Sequence, residues 1–136
     1  MQLHATTIEL GGAGLVILGP SGSGKSTLAL ELMAVGASLV ADDRTDLRRD
    51  GADVLASCPP ALSGRIEARG IGILRADPAG PVRVALIADL GAAPGDRLPQ
   101  SQSHDLLGVG LPLVTGPYRP HLYAALRQLL LGGRVA

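Results

Sequence analysis

The chain contains no tryptophan and no phenylalanine, and its only tyrosines are Tyr118 and Tyr123. Proteins that grip single-stranded nucleic acid do so by stacking bases on aromatic rings, and this chain has no such platform. Charge of one sign is also missing. Twelve Lys and Arg are balanced by twelve Asp and Glu, which leaves no basic footprint for nucleic acid or an anionic membrane. A lone cysteine, Cys58, can form neither an internal disulfide nor a cysteine zinc site. No apolar run approaches the roughly 18 residues of a membrane span. The opening Met1-Gln2-Leu3-His4 lacks the basic region of a secretory signal. These absences predict a cytoplasmic domain without nucleic-acid or membrane partners.

What is present is Leu, Ala, Val and Ile: apolar residues make up 46% of 136 positions, punctuated by 19 Gly and 10 Pro. The length predicts one domain, residues 1–136, able to bury a core. Alternation over residues 2–9 reads as a strand, followed by a Gly11-Gly12 turn. Leu15-Val16-Ile17-Leu18 is a short run of the kind covered on both faces. Residues 25–35 are strong helix formers with one acid, Glu31, and predict a largely buried helix that ends at Gly36. Ser38–Ala41 reads as a strand, so residues 14–42 predict a βαβ unit with parallel strands. Further on, Thr45–Ser57 reads as a hairpin turning at Asp50-Gly51. Residues 62–74 read as a loop flanked by short strands, Val82–Leu90 as the central strand, and 91–103 as a mobile loop. A last strand is expected within Leu106–Val114, and a closing helix over Leu122–Leu131.

Gly19-Pro20-Ser21-Gly22-Ser23-Gly24-Lys25-Ser26 fits G-x-x-x-x-G-K-[ST] in full. A strand precedes it and a helix follows, which is the context the pattern requires. Glycines permit the positive φ angles that turn successive N–H groups inward around phosphate oxygens. The helix N-terminus adds its dipole. The candidate nucleotide site is therefore Gly19–Ser26 with Thr27 in the first helical turn. Lys25 is placed to reach the β- and γ-phosphates, and the Ser26 hydroxyl to bind Mg²⁺.

Asp42 and Asp43 end the strand after this helix, at the edge where ligands of parallel α/β units lie. Adjacent carboxylates beside a triphosphate repel unless a cation intervenes, and Mg²⁺ takes one or two carboxylates plus phosphate oxygens. One aspartate can serve the metal while the other accepts a proton from an attacking hydroxyl. The bland alternative is a solvated turn in which either aspartate pairs with Arg44. Downstream, Glu67 and Arg69 share one face if the segment is extended. Such a pair can serve Mg²⁺ and a transferring phosphoryl group, or be a plain surface ion pair.

The phosphate loop, the Val-Ala-Asp-Asp run and the stretch Ile66-Glu67-Ala68-Arg69-Gly70-Ile71-Gly72-Ile73 together resemble the catalytic domain of bacterial HPr kinase/phosphorylase. The opening Leu3-His4-Ala5-Thr6 is similar to the start of that domain. The resemblance implies a P-loop α/β fold with a mixed, phosphoenolpyruvate-carboxykinase-like sheet. It implies Mg-ATP-dependent phosphorylation of a seryl hydroxyl on the phosphocarrier HPr, and the reverse phosphorolysis, in which inorganic phosphate is consumed and pyrophosphate released. Asp42 would then be the base, Ser26, Asp43 and Glu67 the Mg²⁺ ligands, and Arg69 the residue that steadies phosphoryl charge beside Lys25. His4 matches a family histidine, and Arg119 is a candidate for substrate contact. A homo-oligomer, a hexamer in the family, is implied, in a short form with no N-terminal domain. Two departures stand out: Thr27 replaces an acidic residue, and Gly116-Pro117-Tyr118-Arg119-Pro120 stands where the family has Pro-Gly-Arg-Asn. The other functions such a loop serves are a nucleotide sensor and a small-molecule kinase or ATPase. His104 and His121 lack acidic or cysteine partners at metal-ligand spacing.

Overall fold

In the computed structural model, which describes residues 1–136, the chain runs β1 (Gln2–Leu3), β2 (Thr6–Leu10), β3 (Ala13–Leu18), α1 (Lys25–Ala34) and β4 (Ser38–Ala41). Next come β5 (Thr45–Asp50), β6 (Asp53–Ser57), a 3-10 turn at Pro60–Leu62, β7 (Arg65–Ala68), β8 (Gly72–Arg75) and β9 (Val82–Asp89). The chain closes with β10 (Gln102–Leu106), β11 (Val109–Thr115) and α2 (Leu122–Gly132). Nine strands form one mixed sheet whose main path is β1-β5-β6-β9-β3-β2-β4. One edge of β9 is shared: Val82 and Arg83 pair with β6, and Ile87–Asp89 pair with β11. β7 and β8 form a separate two-stranded sheet.

The apolar run Leu15-Val16-Ile17 is fully buried on both faces, as its composition predicts. Leu15 and Ile17 face α1 and α2 with Leu28, Leu32, Leu86 and Leu126. Val16 faces the opposite layer with Val54, Val84, Ile87 and Leu111. Buried polar groups here are satisfied, as they must be: the Thr7 and Thr45 hydroxyls lie 2.9 Å apart, and Thr45 Oγ1 donates to the Ala5 carbonyl at 3.0 Å. Gly36, at φ 113, closes α1. Its N–H reaches the Met33 carbonyl and that of Ala37 the Leu32 carbonyl, the paired bonds of a left-handed helix stop.

Several expectations change on inspection of the fold. The strand over 2–9 breaks at His4-Ala5, because β1 pairs with β5 whereas β2 pairs with β3 and β4. β3 and β4 are parallel, but β2 lies between them, antiparallel to both. The βαβ unit is therefore split by a strand that precedes it in the chain. The β5–β6 register pairs Asp50 with Asp53, so the two-residue loop is Gly51-Ala52 with Gly51 at φ 61, not Asp50-Gly51. Where residues 62–74 read as a loop flanked by short strands, Arg65–Arg75 form the β7–β8 hairpin. The last strand is a hairpin too, since Leu107 (φ 53) and Gly108 (φ 83) make the tight turn between β10 and β11. Helix α1 buries Lys25, Leu28, Ala29 and Leu32, one face rather than most of its surface.

Leu32 is fully buried between the sheet and the helices. Leu32→Ala is expected to lower the unfolding free energy by about 2–5 kcal/mol, measured by chemical denaturation.

Candidate functional site

The apolar strand β3 delivers the chain to the loop Gly19–Gly24, and α1 takes it away. Gly24 caps the helix at φ 101 with no side-chain cap, and the first turn holds no acidic residue. The N-terminal amides of α1 thus remain open to an anion. A Cβ on Gly24 would lie 3.0 Å from Tyr118 Cβ and 3.1 Å from its Cγ, and one on Gly19 would strike the Ser23 side chain. Both positions therefore demand glycine, for space as well as for φ. Ser23 Oγ is buried and has no hydrogen-bond partner. The Lys25 ammonium is folded back on its own loop, donating to the carbonyls of Gly19 at 2.7 Å and Pro20 at 3.2 Å.

One cleft of about 480 Å³ gathers the loop residues Ser21–Thr27 with Thr6, Asp43, Glu67, Arg69 and Tyr118. Arg69 stands opposite the loop: a Cβ on Gly22 would be 3.8 Å from its Nη2. Strand alternation is not what unites Glu67 and Arg69, since Arg69 lies in the turn beyond β7 and is brought to the cleft by that turn.

The two aspartates have different surroundings. Asp42 Oδ1 accepts hydrogen bonds from Ser26 Oγ at 2.7 Å and Thr6 Oγ1 at 3.0 Å, and Oδ2 accepts the Glu67 N–H at 2.9 Å. Asp43 opens onto the cleft, held at φ 68 with its N–H on Thr6 Oγ1 at 3.3 Å. Its carboxylate contacts His4 Nε2, which brings His4 to the rim. Neither aspartate pairs with Arg44, whose side chain reaches Gln2 instead. Arg119 lies outside this cleft, in a separate hollow with Arg97 and Arg134.

Thr6 and Tyr118 join the site without having been singled out in the sequence. Thr6 closes the Leu3-His4-Ala5-Thr6 run that resembles the family's opening, but as an ordinary strand threonine it carries no chemical signal of its own. Tyr118 carries one faint signal, as one of only two tyrosines, in a Gly/Pro segment. Partial burial first, and then the nearby Glu31 carboxylate, push its phenol up from 10.0.

The donor set suits a triphosphate with a hard cation. The open helix end, the glycine cradle and the buried, unpartnered Ser23 hydroxyl fit phosphate oxygens. Ser26, Asp43 and Glu67 offer only oxygen, the donor Mg²⁺ prefers. No group of three His, Cys, Asp or Glu side chains is arranged to hold a metal unaided. A cation here would rely on phosphate and water for its remaining ligands, as Mg²⁺ commonly does.

Fold and cleft together define a P-loop nucleotide-binding domain. Residues 1–79 match the family described as HPr Serine kinase C-terminal domain, and the chain belongs to that family. The HPr kinase/phosphorylase of Burkholderia lata is 39% identical over 125 residues, which cover 83% of this chain and 39% of that protein. That of Burkholderia cenocepacia (strain HI2424) is 38% identical over the same shares. The chain thus spans about two fifths of the length of these relatives. The Hpr(Ser) kinase/phosphatase from Coxiella burnetii has a similar structure, with a TM-score of 0.83 at 26% identity over 99% of this chain and 91% of that one. The fold is accordingly the mixed-sheet, phosphoenolpyruvate-carboxykinase-like P-loop class.

Because the folded value of the Tyr118 phenol is raised, its contribution to stability is present below the unfolded value and lost as pH climbs through the folded one. In an ultraviolet absorbance titration, the phenol that disappears in Tyr118→Phe is expected to ionise only above about pH 10.

Proposed function

We propose that this chain is an Mg-ATP-dependent protein serine kinase whose acceptor is a seryl hydroxyl of an HPr-type phosphocarrier, and that it also runs the reverse phosphorolysis. The observation that carries the reading is the single cleft in which a phosphate loop, three oxygen donors for a cation and Arg69 face one another, with Asp42 directly behind Ser26. The activities of similar proteins support the substrate: an HPr kinase/phosphorylase in Burkholderia and an Hpr(Ser) kinase/phosphatase in Coxiella. Residues 1–136 are read as one catalytic unit. An ATP-consuming kinase works in the cytoplasm, and no helix is long and apolar enough to cross a membrane. By family, the unit assembles as a homo-oligomer, a hexamer.

In this reading the amides from Gly19 to Thr27 bind the phosphates, and Lys25 leaves the Gly19 and Pro20 carbonyls to contact the β- and γ-groups. Ser26, Asp43 and Glu67 hold Mg²⁺, which when bound neutralises phosphate charge. Arg69 steadies the phosphoryl group from the opposite wall. Asp42 accepts the proton of the seryl hydroxyl as its oxygen bonds to phosphorus and ADP departs; in reverse it returns the proton. One observation favours a second assignment. Asp43, not Asp42, opens on the cleft, with His4 against it, so Asp43 is the alternative proton acceptor.

The test is incubation with Mg-ATP and the HPr-type carriers of the same organism, read by intact mass, for wild type and three variants. Wild type is expected to add one phosphate to serine. Asp42→Asn should cut transfer roughly 10²–10⁴-fold while largely sparing nucleotide affinity. Lys25→Ala should weaken nucleotide affinity itself. Full activity in Asp42→Asn with loss in Asp43→Asn would move the base to Asp43. Intact ATP binding with no carrier modified would replace the kinase by a nucleotide sensor or a kinase or ATPase with another substrate.

A further inference from the structure

The β7–β8 hairpin carries a like-charge pair that its own fold does not explain. Arg65 and Arg75 are direct cross-strand partners. Side chains of such partners share one face at close range, where like charges destabilise the pair. Both residues are exposed, and neither forms an ion pair, the one salt bridge of the structure being His4–Asp43. Asp77 lines the same shallow groove, of about 690 Å³, without pairing with either guanidinium.

The next pair along this face is Glu67 with Ile73. Glu67 is a wall of the phosphate cleft. Ile73 is 65% exposed, and Ile71 in the adjoining turn is 79% exposed. The inward face holds Ile66 and Ala68, both buried in the body of the protein. The outward face therefore runs from the exposed Ile71 at the turn, through the cleft-wall pair Glu67 and Ile73, to two guanidiniums without an ion-pair partner. Two residues of strand, about 7 Å, separate Glu67 from Arg65.

We infer that this outward face of the hairpin, Arg65, Ile73 and Arg75 with Ile71 at its tip, is the docking surface for the protein that brings the acceptor hydroxyl to the cleft. The inference rests on the kinase reading above and adds the chemistry of recognition. The acceptor protein presents an apolar patch with one or two carboxylates beside its phosphorylatable serine. Those carboxylates lie between Arg65 and Arg75 and relieve the repulsion that the free hairpin carries. Charge complementarity singles out an acidic partner surface, and continuity with the cleft singles out the acceptor over a second copy of this chain. A guanidinium pair suits a carboxylate because it can donate two parallel hydrogen bonds.

The test uses the full chain, Mg-ATP and the HPr-type carrier, with initial rates taken against carrier concentration. Variants are Arg75→Glu and the double Arg65→Glu/Arg75→Glu. The double variant is expected to raise KM for the carrier about tenfold or more, with kcat and KM for ATP unchanged. Added salt should raise the wild-type KM and affect the double variant far less. Arg75→Glu places a glutamate opposite Arg65, so its melting temperature should hold or rise while its carrier KM increases. Weakened docking in a protein that is no less stable is a result that a merely structural role for Arg75 does not produce. An unchanged carrier KM in the double variant, with wild type active, overturns the docking surface alone. A wild type that modifies no carrier overturns the kinase reading, and this inference with it.

Discussion

One carboxylate joins four elements of this protein. Asp42, at the end of β4, accepts hydrogen bonds from Thr6 at the start of β2, Ser26 in the first turn of α1, and the Glu67 amide of β7. Hydrogen bonds to a charged group contribute about 1.5–3 kcal/mol each, the larger values where water is kept away. Through these three bonds the main sheet, the phosphate-loop helix and the separate hairpin are held in one frame. Without them, β7–β8 would be fixed by the burial of Ile66 and Ala68 and by the Ala79 N–H bond to the Leu39 carbonyl of β4 just beyond the hairpin. The placement of Asp43 follows from the same constraint. Once Asp42 is turned inward, the next residue must leave the sheet sharply, and it does so at φ 68. Aspartate tolerates that region better than most residues.

The cleft itself is assembled from groups left short of partners. The helix end has no cap and Ser23 Oγ is buried alone. Each is a small cost that a phosphate would remove. The surrounding core makes those costs tolerable: β3 is buried on both faces, and Tyr118 packs over Gly24. A loop with this many unsatisfied donors is stable because both its ends are anchored in rigid elements.

What could be read in the sequence was whatever is contiguous. The phosphate loop is one unbroken segment whose glycine spacing has a mechanical reason, and the structure holds it between a buried strand and a helix. Val82–Leu90 was legible because the short unbroken apolar run Val84–Ala88 suits a strand covered on both faces. Asp42, Asp43, Glu67 and Arg69 were legible as candidates, and all four converge around the cleft, though Asp42 sits behind it. Convergence alone does not assign their roles. Partner choice was not legible. The position of β2 between β3 and β4 depends on long-range register, and periodicity cannot show which strand a neighbour selects. Thr6 was missed for that reason, since it reaches the site only because β2 adjoins β4. The β5–β6 turn slipped by one residue because Asp50-Gly51 and Gly51-Ala52 are both sound turn dipeptides, and cross-strand pairing decided for the latter.

The location of β3 also bears on how the chain is made. One of its edges is covered by β2, a neighbour in sequence, and the other by β9, which ends at Asp89. As the chain leaves the ribosome, Leu15-Val16-Ile17-Leu18 must wait for some seventy more residues before its second edge is closed. During that interval it is a strongly β-forming apolar strand with one open edge, of the kind that recruits other chains. Synthesis speed and chaperone supply should therefore influence soluble yield alongside the stability of the finished fold.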